Sequence, residues 1–310
     1  MAVPGKTTSA CVSTSVVEVI EVPASFLAQP RWWRGGQDWL SQLPARVEAQ
    51  CRRWALEIDG PVFHGSNTLV VPVRRGPLPL ALRLTHPDDD VASEVAALRF
   101  WDGRGTVTLV AADEPAGAML LERLDGRRFL LQLPLAEALP VLGRMMRRLA
   151  VPVPVAVRST GDIAATRGAS LETDWERLGR PFSRGTLDRA VSAAAALTSP
   201  TSDLAVNGDL HYEQVLAGHR GPWLCVDPVL YRGEIDYDLA RILWSRLDEM
   251  RDPETIEACF ATLVRAADLD PDRARTWVVF RAVDYWLWGL DHDLTEDPPR
   301  CRRLVDHFGS

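Results

Sequence analysis

With 310 residues, 46% of them hydrophobic and 25% charged, the chain can bury one or two full cores and is too apolar to be disordered. Its formal net charge of −7 argues against a nucleic-acid partner and suits a cationic small molecule, and no apolar run reaches the length of a membrane span. Five scattered cysteines, Cys11, Cys51, Cys225, Cys259 and Cys301, fit reduced side chains of a cytoplasmic protein better than a disulfide framework.

The first ~20 residues are polar and read as a flexible extension; their apolar patch, interrupted by Glu18 and Glu21, makes a poor signal peptide. Residues 1–38 as a whole are set apart as an N-terminal extension. Over 39–56, Trp39, Leu40, Leu43, Val47, Cys51 and Trp54 recur at helical spacing. Two strand-like runs follow, Asn67–Val73 and Leu78–Leu84, and then a helix over Asp90–Trp101 with acidic residues at its start. Thr106–Ala111 and Ala118–Leu121 read as another strand pair, which completes a β-rich region over 39–123.

Beyond Arg123-Leu124-Asp125-Gly126 the pattern turns helical, and 124–310 reads as one larger, mostly helical region. Helices are expected over Pro134–Leu149, around Trp175–Leu178 and over Gly185–Leu197, with VPVPVAV at 151–157 as an extended connector. Asp238–Arg251, Pro253–Ala267 and Pro271–Leu290 read as three long helices.

Between these helical stretches lies the segment richest in chemistry, VNGDLHYEQVLAGHRGPWLCVDP at 206–228. Leu204–Val206 leads into a polar turn carrying Asp209, Val215–Ala217 leaves it, and Trp223–Val226 reads as a short buried strand ending in Asp227-Pro228. The spacing of the two aspartates, about 18 residues, is that of one β-hairpin joining two strand ends. Phosphoryl transfer needs such a pair, one carboxylate to accept the proton of an attacking hydroxyl and one to hold the Mg²⁺ that bridges nucleotide phosphates. The plainer alternative is that Asn-Gly-Asp is only a turn tripeptide and Asp227 only a cap. His211 beside Asp209 suggests a zinc pair less well, because no H-x-x-x-H or C-x-x-C cluster accompanies it.

The segments DLHYEQVLA (209–217), PWLCVDP (222–228), ALRFWDGRGTVTLV (97–110) and MLLERLDG (119–126) together resemble the aminoglycoside phosphotransferase family. They are most similar to its streptomycin 6-phosphotransferase branch, the aminoglycoside/hydroxyurea resistance kinases. The resemblance implies an α+β, two-lobed protein-kinase-like fold, with a nucleotide-binding N-lobe over 39–123 and a helical C-lobe over 124–310. It also implies ATP, Mg²⁺ and a small hydroxyl-bearing acceptor; GTP in place of ATP stays open.

Residue by residue, the resemblance makes Asp209 the catalytic proton acceptor and Asp227 a metal ligand. Gln214 stands where the family has a metal-binding asparagine, Asn207 replaces the family's leading histidine, and His211 and Asp238 support the loop. Arg83 occupies the place of the phosphate-binding lysine, in a chain whose only lysine is Lys6, and Glu94 is its expected partner. A strand arginine pointing to solvent is the alternative for Arg83. Ser66 and Asn67 lie in the candidate phosphate-covering turn, and Glu122 and Leu124 in the expected hinge that binds adenine.

Acceptor contacts are expected from Glu213, Asp236 and Asp291. Asp284, Asp293 and Glu296 lie near Tyr285-Trp286-Leu287-Trp288, whose tryptophans read either as groove walls for a cationic sugar or as core. The three substitutions, Arg83, Gln214 and Asn207, keep a second reading open: a pseudokinase-like binding protein. A protein kinase is disfavoured because His-Arg-Asp and Asp-Phe-Gly segments are absent.

Overall fold

The computed structural model describes residues 20–29, 32, 35–86, 89–154 and 156–309. The flexible extension expected over the first residues lies outside that range. The chain divides into two compact units, Met1–His86 and Pro87–Ser310, so the lobe boundary expected near residue 123 falls inside the second.

In the first unit a short helix, α1 (Ala24–Leu27), precedes α2 (Gln37–Trp54). Helix α2 buries Trp39, Leu40, Leu43 and Val47 along one stripe, as the spacing predicts. Part of the segment ahead of Trp39 is core rather than tail. Phe26 and Trp32 are fully buried and pack edge-on, with ring centroids 5.3 Å apart. Strands β1 (Glu57–Ile58) and β2 (Phe63–His64) both pair with β3 (Thr68–Arg75), which runs antiparallel to β4 (Leu78–Thr85) from Thr68↔Thr85 to Arg75↔Leu78. Strands β1 and β2, each only two residues long, are too short to show alternation in the sequence.

The second unit opens with α3 (Val91–Trp101), where Asp90 caps the helix by accepting from the Ser93 amide at 3.1 Å. The expected strand from Thr106 splits in two. The Val107 amide donates to the Cys225 carbonyl at 2.8 Å, whereas β5 (Leu109–Asp113) pairs with β6 (Ala118–Glu122) through a bulge. The chain does not turn helical after Gly126: β7 (Asp125–Phe129) comes first and pairs with β9 (Val215–Ala217), which also pairs with β10 (Leu224–Cys225). Helices α4 (Leu135–Leu149), α5 (Thr160–Arg177) and α6 (Arg184–Leu197) follow β7, and β8 (Leu204–Val206) pairs with β11 (Tyr231–Gly233).

The helix expected over Asp238–Arg251 is broken. A 3₁₀ turn over Ile235–Asp238 leads into α7 (Leu239–Ser245), and a second covers Leu247–Glu249. Two contacts account for the break. The Ser245 hydroxyl donates to the Arg241 carbonyl at 2.6 Å, which weakens the helical ladder. Arg246 turns inward, its guanidinium 4.9 Å from the Tyr212 ring centroid and its Nη1 2.9 Å from the Leu133 carbonyl.

Three further helices, α8 (Pro253–Ala267), α9 (Pro271–Asp291) and α10 (Asp297–Phe308), complete the unit. Asp252 and Asp270 cap α8 and α9 through the amides of Thr255 and Arg273, both at 2.7 Å, with proline at the first helical position of each. Their buried faces join one apolar core running from Trp101 through Trp244, Trp277 and Phe280 to Phe308. Among the described residues no helix is long and apolar enough to cross a membrane.

Candidate active site

Strand β8 ends at Val206, and the chain reverses through Asn207-Gly208-Asp209. Gly208 has φ +81°, and a Cβ there would lie 2.6 Å from the Tyr231 ring, so only glycine fits both the backbone and the space. Asn207 is buried and knits the turn to the neighbouring strand. Its Oδ1 accepts from the amides of Asp209 (3.4 Å) and Val229 (3.3 Å), and its Nδ2 donates to Cys225 Sγ (3.1 Å). Asp238 is buried beneath the same turn and accepts from the amides of Gly208 and Leu210. Burial pushes its carboxyl up to about 7, against the pull of Arg281.

These braces present Asp209 with a donor on each carboxylate oxygen. Gln214 Nε2 lies 3.1 Å from Oδ2 and Arg241 Nε lies 3.0 Å from Oδ1. Burial raises the pKa of Asp209 and the nearby Asp227 adds to the shift, while Arg241 and Arg281 oppose it. The group is therefore a better proton acceptor than an ordinary surface carboxylate. His211 lies 4.0 Å from Asp209 and 3.9 Å from Glu213, but burial and Arg241 push its pKa down to about 3. It is neutral, and neither approach is an ion pair.

Asp227 ends the hairpin in the left-handed region, with φ +56°. One residue earlier the Val226 amide donates to the Gln214 carbonyl at 2.8 Å, which brings the two expected metal ligands onto neighbouring backbone. Gln214 Oε1 is buried and has no hydrogen-bond partner among the described residues. An orphaned amide oxygen beside a carboxylate fits an oxygen-seeking Mg²⁺, which takes one or two protein ligands and completes its shell with phosphate and water. Among the described residues, no three histidine, cysteine, aspartate or glutamate side chains gather as a metal cluster.

The other singled-out residues lie elsewhere. Arg83, in the first unit, is buried on β4 at 6% exposure, which removes the solvent-pointing alternative. Ser66 is exposed and Asn67 half-buried in a turn closed by the Gly65 amide on the Thr68 carbonyl at 2.9 Å. In the second unit, Glu94 is half-buried on α3. The Glu122 carboxylate accepts from the Thr108 amide and hydroxyl, both at 3.1 Å, and from Arg220 at 2.9 Å, so its side chain braces the segment. Leu124 follows in the short unpaired stretch between β6 and β7.

The three acceptor candidates are not brought together. Glu213 is exposed close to His211. Asp291 is ion-paired to Arg177 at 2.5 Å. Asp236 is buried, its pKa pushed up to about 7 by that burial, and its charged neighbours are Glu234, Arg273 and Asp270. Asp284 is held by Arg167 at 2.8 Å. The tryptophans divide: Trp286 is core against Phe182 at 4.7 Å, whereas Trp288 is 42% exposed and stacks between Tyr285 (5.1 Å) and His292 (4.2 Å).

Sequence reasoning missed three contributors. Arg241 and Arg281 are single charges inside otherwise apolar runs, LARILW and WVVFRAV, and a buried-helix arginine is a signal that could have found them. Arg281 lies 3.9 Å over the Tyr237 ring. Glu234 is a buried carboxylate taking hydrogen bonds from Thr201 N (2.7 Å), Arg273 Nε (3.0 Å) and Trp277 Nε1 (2.5 Å). Burial opposes its ionisation, yet these donors hold it below the usual carboxylate range.

A β-rich N-terminal region, a helical C-terminal part and a carboxylate pair on a hairpin place the chain among protein-kinase-like folds. Solved structures agree in fold. Aminoglycoside phosphotransferase APH(4)-Ia superposes with a TM-score of 0.61 at 15% identity, over 86% of this chain and 99% of that one. A choline/ethanolamine kinase family protein from Mesorhizobium loti gives 0.60 at 18% identity, over 85% and 98%. In sequence, residues 53–292 match the aminoglycoside/hydroxyurea antibiotic resistance kinase family, and the chain belongs to that family. Streptomycin 6-kinase of Streptomyces griseus is 36% identical over 271 residues, 85% of this chain and 88% of that one. Hydroxyurea phosphotransferase of Kitasatospora aureofaciens is 35% identical over 289 residues, 91% and 84% respectively. The protein is thus a small-molecule phosphotransferase.

Proposed function

We propose that the protein transfers the γ-phosphoryl group of ATP, with Mg²⁺, to a hydroxyl of an aminocyclitol such as streptomycin. The observation that carries this reading is the two-sided grip on Asp209 next to an unpartnered Gln214 oxygen and Asp227. Asp209 orients the acceptor hydroxyl and takes its proton, with Gln214 and Arg241 fixing the plane of the carboxylate so that the hydroxyl meets a set geometry. Gln214 Oε1 and Asp227 would hold Mg²⁺, which when bound supplies charge neutralisation on the phosphates. Arg83, Glu94 and the turn at Ser66 and Asn67 would serve the nucleotide phosphates, and the backbone around Glu122 and Leu124 the adenine. Glu213, close to the catalytic loop, is the acceptor contact best placed of the three.

The substitutions Arg83 and Gln214 favour a second reading, a nucleotide-binding protein without efficient transfer. One experiment separates the two. Mg²⁺-dependent ADP release is measured with streptomycin, other aminocyclitols, hydroxyurea and simple sugars, for wild type and Asp209→Ala. Acceptor-dependent release that vanishes in the variant is the expected result. ATP binding without turnover on any acceptor would favour the second reading.

A further inference from the structure

Helix α7 buries Leu239, Ala240, Ile242, Leu243 and Trp244 and carries one charge, Arg241. That side chain is one-fifth exposed. Its Nε is fixed on Asp209 Oδ1 at 3.0 Å, and its guanidinium lies 5.8 Å from the Trp244 ring and 6.0 Å from the Tyr285 ring, two rings stacked at 4.4 Å. Among the described residues its two Nη groups have no hydrogen-bond partner, although they sit beside the group that would take the acceptor proton. A planar fork with one arm anchored and two donors open is built to receive the oxygens of an anion.

The position of that anion follows from the chemistry. A base lies within about 3 Å of the hydroxyl it deprotonates, and the attacking oxygen lies about 3–3.5 Å from the atom it attacks. The oxygens of a phosphoryl group in transfer from ATP therefore come within the span of a guanidinium anchored on the same carboxylate. We propose that Arg241 is a catalytic arginine: Nε holds Asp209 while the Nη groups bind the oxygens of the phosphoryl group in transfer. This rests on the kinase reading given above. The acceptor oxygen forms the new bond to the γ-phosphorus, the bond from that phosphorus to the bridging oxygen breaks, and its electron pair stays with ADP. The hydroxyl proton passes to Asp209, and Arg241 exchanges no proton.

The test compares wild type with Arg241→Ala and Arg241→Lys, measuring kcat, KM for ATP, ATP affinity at equilibrium and the unfolding midpoint. Arg241→Ala is expected to lower kcat by about 10²–10³-fold, the usual effect of losing a donor to developing charge, with ATP affinity nearly unchanged. Millimolar guanidinium, but not urea or sodium chloride, is expected to restore part of that loss, and lysine to recover little because it lacks the fork. An Arg241→Ala enzyme within about threefold of wild-type kcat would overturn the assignment while leaving the kinase reading intact. A loss that guanidinium does not touch, accompanied by a fall in unfolding midpoint, would also overturn it and make Arg241 a packing residue. Wild-type protein that binds no nucleotide and phosphorylates nothing would overturn the kinase reading, and this assignment with it.

Discussion

The turn that carries Asp209 and the far end of α9 both hold acidic and aromatic residues that stand out in the sequence, and they are organised in opposite ways. Around Asp209 the turn is braced by Asn207 and Gly208 from the side of the neighbouring strand, while among the described residues Gln214 Oε1 and the Arg241 Nη groups have no hydrogen-bond partner. At the end of α9 the carboxylates of Asp284 and Asp291 are each met by an arginine from α5, which neutralises them. The density of acidic residues is similar, but the capacity to take a ligand differs. What separates the two regions is the unmet acceptor on Gln214 beside Asp209, not the number of acidic residues.

That contrast can be broken experimentally, and the Asp209 turn offers the largest effects. Asp209→Ala is expected to reduce turnover by about 10²–10⁴-fold with little change in unfolding midpoint; retained turnover would mean the proton goes elsewhere. Gly208→Ala is expected to cost about 2–4 kcal/mol of stability, because it combines a strained positive φ with a ring overlap, and denaturant titration reads it directly. Asn207→Ala, which takes the shared acceptor from the Asp209 and Val229 amides, is expected to cost about 0.5–1.5 kcal/mol, visible in the same titration.

Asp236 tests the buried-acid side of the comparison. Its folded pKa is raised to about 7 from an unfolded value of about 3.9, so the folded state holds the proton more tightly. Its stabilising contribution is complete below the unfolded value and is lost as pH rises through 7. Asp236→Asn is expected to flatten that decline and to raise stability at pH 8 by about 1–3 kcal/mol. A variant whose pH–stability curve matches wild type would show that Asp236 ionises freely. The smallest effect is expected at the α9 end. Asp291→Asn breaks a surface ion pair worth about 0–1 kcal/mol, and a marked rise in KM for a cationic acceptor would instead make Asp291 part of the acceptor site.

The sequence was most legible where structure is local. The hairpin carrying Asp209 and Asp227 reverses the chain within a few residues, so its pattern is local. Helix α3 follows the acidic start at Asp90, and α8 and α9 begin at Pro253 and Pro271, where the sequence places them. Legibility failed where a distant partner decides. Arg246 ends α7 because Tyr212 and Leu133 receive it, and neither lies near it in sequence. Arg241 reaches Asp209 across 32 residues, Asp291 is closed by an arginine 114 residues away, and the two-residue strands β1 and β2 exist only because β3 pairs with them. The family resemblance supplied the fold, but it could not show that Gln214 turns its nitrogen to Asp209 and leaves its oxygen unpartnered.

Glu234 has a consequence for inheritance. A single nucleotide change there would leave one half-buried arginine, one indole and one threonine without their common acceptor. The damage would fall on the segment leading to Asp238, and so on the turn that carries Asp209. A screen of random mutants for lost phosphotransferase function is expected to recover Glu234 beside Asp209, although the Glu234 carboxylate is buried away from solvent. The genetic target of this enzyme is wider than its chemistry.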